Sequence, residues 1–81
     1  MYKLVIDPIA EEQIAALPEE ALRPLAELFT LLEPAPWSGE PCNRAKPRSN
    51  MLTHPFGERG LATYVVLDEQ RESYLVRIEW P

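Results

Sequence analysis

The last thirty-one residues constrain the fold more than any other part of the chain. They read Met51-Leu-Thr-His-Pro-Phe, Gly-Glu-Arg-Gly, Leu61-Ala-Thr-Tyr-Val-Val-Leu, Asp68-Glu-Gln-Arg, and finally Ser73-Tyr-Leu-Val-Arg-Ile-Glu-Trp. Three apolar, β-branched and aromatic runs joined by two tight polar connections predict an antiparallel meander. The middle run is apolar on both sides, as a central strand requires. On the last run, Tyr74, Val76, Ile78 and Trp80 form one alternating set and Leu75, Arg77 and Glu79 the other. The first set is expected to pack on the rest of the domain, which would turn Arg77 to an open face.

The preceding residues supply what packs there. Tyr2, Leu4 and Ile6 alternate with Lys3, Val5 and Asp7, predicting a first strand. Asp7-Pro8 then reads as a helix start, because Asp caps a helix N-terminus and Pro at the first helical position forfeits no needed hydrogen bond. Ile9, Ala10, Gln13, Ile14 and Leu17 give this helix one face, and Pro18 ends it. Glu19-Glu20 opens a second helix with the stripe Leu22, Leu25, Ala26, Phe29 and Leu32. Pro24 implies either a late start or a kink. Pro34 and Pro36 close the helix, and Trp37 to Asn50 is expected to be a long loop with Trp37 anchored on the domain edge. The outcome is one domain over residues 1–81: a two-layer α+β fold in the order β-α-α-β-β-β, with two helices on one face of an antiparallel sheet.

Charge narrows the chemistry. The chain carries −5 overall, but residues 41–60 hold Arg44, Lys46, Arg48 and Arg59 against Glu58 alone. A basic island in an acidic chain can meet an anionic partner, although the whole-molecule field would not steer nucleic acid to it. No run is long enough to cross a bilayer and no signal core opens the chain, so a cytoplasmic protein is expected. One cysteine, Cys42, and one histidine, His54, are too few for a metal centre. No phosphate-binding glycine loop is present. Neither a cofactor nor a metal is therefore expected.

The element order resembles the RelE/ParE superfamily of bacterial type II toxins. Tyr2-Lys-Leu-Val-Ile-Asp-Pro followed by Ala10-Glu-Glu-Gln-Ile-Ala-Ala-Leu is similar to the opening of those toxins, and Gly60-Leu-Ala-Thr-Tyr-Val-Val-Leu to their central hairpin. Pro36-Trp-Ser-Gly-Glu-Pro, Phe56-Gly-Glu-Arg-Gly-Leu-Ala-Thr-Tyr and Val76-Arg-Ile-Glu-Trp resemble small actinobacterial proteins placed near that superfamily. The resemblance implies an antitoxin partner and, for the RelE branch, cleavage of ribosome-bound messenger RNA. That reaction needs a base, an acid and cations for the phosphorane charge. His54 is the acid/base candidate, Arg59 and Arg77 the phosphate contacts, Tyr64 a base-stacking or proton-orienting group, and Arg44, Lys46 and Arg48 the grip on the RNA backbone.

Each of these residues also has a structural reading. His54 reads as a satisfied edge residue, Arg59 as solvated, Tyr64 as core, and Arg77 as paired with Glu79 or Glu72. The toxins carry catalytic residues beyond the last strand, where this sequence has only Trp80-Pro81, so an atypical or degraded active site is expected. The alternatives are a non-catalytic protein-binding domain on the same scaffold and, third, a ParE-like gyrase inhibitor.

Overall fold

In the computed structural model, which describes residues 1–43, 45, 46 and 48–81, the elements run in the expected order with two additions. Strand β1 (Lys3–Ile6) leads to α1 (Pro8–Ala15) and α2 (Glu19–Leu32); a short 3-10 turn (Pro36–Ser38) then enters β2 (Glu40–Pro41), and β3 (Met51–Phe56), β4 (Gly60–Leu67) and β5 (Glu72–Glu79) complete the sheet. The five strands lie in the order β1-β5-β4-β3-β2. The meander is antiparallel as read, whereas β1 pairs parallel to β5. The helical pair between β1 and the meander supplies the long crossover that parallel pairing demands.

Local chemistry sets the helix boundaries. The Asp7 carboxylate accepts from the Ile9 N–H at 2.9 Å, capping α1, with Pro8 as its first residue. Helix α2 starts directly after Pro18 and runs through Pro24, so its start is not delayed. Pro24 leaves the Glu20 carbonyl without its intrahelical donor. The buried stripe of α2 is Ala21, Leu25, Leu28 and Leu32. This is rotated from the sequence expectation, for Leu22 is 46% exposed and Ala26 also faces outward. On α1, Ala10 is buried while Ile9 is exposed.

Two further expectations are corrected. The stretch from Trp37 is not structureless, since the 3-10 turn and β2 order its first part. Tyr64 explains why: its hydroxyl donates to the Pro36 carbonyl at 2.8 Å and accepts from the Gly39 N–H at 3.2 Å. Trp37 is about half exposed and is tethered by its indole N–H, which donates to Asp68 at 3.3 Å. The Tyr2 hydroxyl donates to the same carboxylate oxygen at 2.5 Å.

The second correction concerns β5. Thr63 pairs with Arg77 but Tyr64 with Leu75, so one residue of β5 is left over. This bulge resets the alternation. Ser73 and Leu75 face the helices before it and Ile78 after it, while Tyr74 turns to the open face, contrary to the uninterrupted pattern.

Both sheet edges are closed beyond their short outer strands. Past the end of β1, the Ile78 N–H donates to the Gln13 side chain of α1 at 2.7 Å. On β3, the Met51 carbonyl accepts from the Cys42 N–H, so residues 51, 53 and 55 direct their backbone groups to the β2 side. Pairing with β2 reaches only Leu52 and Thr53. Pro55 lies beyond it, has no N–H to offer, and its carbonyl is engaged by the His54 imidazole at 2.8 Å. A proline at this position costs the sheet nothing and removes an aggregation-prone donor.

Candidate functional site

The open face of the sheet is built from alternate residues of four strands. Core-facing Ala62 and Tyr64 flank Thr63 on β4, so Thr63 points to the open side. Its neighbours in the same row are Thr53 on β3 and Arg77 on β5. Val65, Tyr74 and Val5 form a second row, and Leu67, Glu72 and Lys3 a third. The surface is therefore apolar at its centre with one arginine at one end and a lysine–glutamate pair of positions at the other.

Arg77 lies on this face, as the alternation of β5 predicted; the bulge exchanges the faces of Leu75 and Tyr74 instead. Its guanidinium Nε lies 3.3 Å from a Glu79 carboxylate oxygen, the one ion pair among the described residues. Both side chains are about half exposed, 54% and 46%. Beneath this level, Thr63 is only 3% exposed, and its hydroxyl has no hydrogen-bond partner among the described residues. Tyr74 donates its hydroxyl to Asp7 at 2.6 Å. That bond, together with the Ile9 N–H, holds the Asp7 carboxyl below its ordinary value and raises the Tyr74 phenol.

The sequence-predicted site residues do not converge. His54 belongs to the row Ala62–Ile78, whose members face the helices. Its side chain lines a groove of about 230 Å³ between α2 and β3, with Pro24, Glu27, Leu28, Leu31 and Phe56. Arg77 sits two strands away, roughly 10 Å across the sheet, and on the opposite face. In this arrangement the two cannot act on one phosphate. His54 Nδ1 donates to the Pro55 carbonyl, which can only accept.

Tyr64 is corrected to a core residue. It is fully buried, which takes it away from any surface a substrate can reach, and burial raises its phenol against the lowering effect of the Gly39 N–H. Arg59 lies on the β3–β4 turn beside a concavity lined by Glu20, Glu58 and Trp80. Lys46 and Arg48 are exposed on the turn that precedes β3, at the other end of that strand. The six residues of β3 separate these cations from Arg59 by about 20 Å. Arg44 lies outside the described residues.

Sequence reading missed Thr63 and the Asp7–Tyr74 pair. The bulge that moved Tyr74 to the open face has no local signature, and a threonine in a central strand looks like any other β-former. Among the described residues, no three His, Cys, Asp or Glu side chains gather as metal ligands, and no helix is long and apolar enough to cross a membrane.

No protein-family model matches the chain, and no curated protein matches it. Solved structures do. The chain superimposes on a structure of the intact RelBE toxin–antitoxin complex of E. coli with a TM-score of 0.82 at 15% identity, covering 100% of this chain and 98% of that one. A RelBE complex of Mycobacterium tuberculosis gives 0.82 at 18% identity, with 99% and 98% covered. The archaeal RelE–RelB complex of Pyrococcus horikoshii gives 0.61 at 13% identity, with 98% and 93% covered. At these identities the likeness is one of fold.

Proposed function

We propose, from the premise that this chain carries the RelE toxin fold, that it is the toxin-type member of a toxin–antitoxin pair and acts on RNA through its open sheet face. The observation that carries this reading is coverage in both directions: the chain and the E. coli neighbour match almost end to end. Two of the neighbours described above are toxin–antitoxin complexes from bacteria and one is archaeal, which supports an antitoxin as the first partner to seek. Arg77 is the phosphate contact on the open face, and Lys46 and Arg48 are further exposed cations on the turn before β3. The finer reading is cleavage of messenger RNA on the ribosome; His54, which lies on the helix-side face, is not placed to act as its acid/base group beside Arg77.

The spatial separation of His54 from Arg77 and the burial of Tyr64 favour a second reading. The same scaffold would bind a protein segment across the apolar centre of its open face without doing chemistry. Induced expression in a bacterial host lacking an antitoxin, with growth and transcript integrity followed together, separates the two. Growth arrest with cut transcripts supports the nuclease. Healthy growth with abundant folded protein refutes it and leaves the binding domain. Gyrase supercoiling unaffected by excess protein removes the third alternative.

A further inference from the structure

Arg77 and Glu79 lie two residues apart after the bulge, so both side chains project from the same face of β5. A carboxylate and a phosphate oxygen make the same charge-assisted bond to a guanidinium. Glu79 thus holds the place an RNA phosphate would take. The pair is half exposed on both sides, a setting in which an ion pair exchanges readily for another anion. Directly across from Arg77 on β4, the Thr63 hydroxyl is buried and out of a phosphate's reach, which leaves Arg77 as the anion-binding group of this row.

We propose that Arg77 is a phosphate subsite on the open face and that Glu79 is its built-in competitor, displaced when single-stranded RNA binds. The inference rests on the reading of this face as RNA-directed. Binding exchanges the carboxylate for a phosphate, so an isolated anion gains little at Arg77. An RNA strand held at further cationic positions gains enough to displace Glu79. Glu79 thereby discriminates in favour of polymers.

The test is fluorescence anisotropy with a labelled short single-stranded oligoribonucleotide at fixed salt, on variants whose folding is first checked by circular dichroism and thermal midpoint. Glu79→Gln is expected to tighten binding about two- to five-fold, Arg77→Ala to weaken it, and the Glu79→Gln gain to vanish in the Arg77→Ala background. Wild-type behaviour of Arg77→Ala overturns the RNA reading of the face itself. A weakened Arg77→Ala beside an unchanged Glu79→Gln leaves that reading in place and overturns the competitor. A gain from Glu79→Gln that persists without Arg77 belongs to the general field of the protein, and overturns the competitor as well.

Discussion

Replacing Tyr64 by Phe separates a structural role from a catalytic one, because it removes a single oxygen from the most tightly enclosed aromatic ring in the core. The ring is fully buried and would stay so. Its hydroxyl donates to Pro36 at 2.8 Å and accepts from Gly39 at 3.2 Å, and Pro36 is itself buried. Each bond is worth about 1 kcal/mol net, and a buried carbonyl left without a partner adds about 1 kcal/mol more. The expected loss is therefore about 2–3 kcal/mol. A domain of this size has a total stability of roughly 4–12 kcal/mol, so the loss is a large fraction of it. At about 4–8 °C per kcal/mol, the thermal midpoint should fall by about 8–24 °C. Urea titration reads the free energy, and hydrogen exchange at the Gly39 amide reads the bond directly. A change below about 0.5 kcal/mol with unaltered Gly39 exchange would refute the reasoning. A catalytic Tyr64 makes the opposite forecast: intact stability with lost activity.

Three other perturbations test the local arguments. Asp7→Asn removes the charge that caps α1 and accepts from Tyr74. Because the folded carboxyl titrates below its ordinary value of 3.8, its contribution is present above that value and is lost as pH falls through the lower folded one. The gap between wild type and variant in urea midpoint should accordingly be widest near neutrality and close under acid conditions; an equal gap at pH 7 and in strong acid would contradict this. Gly57 has φ +63°, and a Cβ there would stand 3.2 Å from the Trp80 ring and 3.3 Å from Pro24. Gly57→Ala should cost about 1–2 kcal/mol, and an unchanged thermal midpoint would show the turn to be free to rearrange. Pro55→Val restores an N–H to the uncovered half of β3 and should promote self-association, seen as a rising mass in light scattering with concentration. A strictly monomeric variant would mean that the edge is protected by something other than the proline.

The outcome at particular residues follows the range of the forces involved. The Asp7-Pro8 helix start and the three meander strands were readable because their determinants are neighbours in sequence: a capping carboxylate, a proline ring, an alternating run. The α2 stripe was placed one residue off at Leu22 rather than Ala21, since both fit a helical period and only the sheet beneath selects between them. Pro24 implied a late start or a kink, yet α2 begins at Glu19 and packing of Leu25, Leu28 and Leu32 carries the helix through the proline. The ordered entry to β2 was missed because it hangs on the Tyr64 hydroxyl, donated to Pro36 from 28 residues away.

For the candidate site the division is sharper. Residue types set the inventory: one imidazole, a few cations, and no metal cluster in the making. Whether these groups meet was outside the reach of sequence. Alternation decides which face of a strand a side chain occupies, and one extra residue at the β5 bulge exchanges the faces of Leu75 and Tyr74. His54 and Arg77 stand on opposite faces, Arg77 beside Glu79 and His54 against the Pro55 carbonyl. By itself the sequence determined the elements, their order and the chemistry available, because those depend on short-range sterics and periodic burial. The tertiary structure alone decided which of those groups share a surface, because strand register and bulge position are settled by packing between segments distant in the chain.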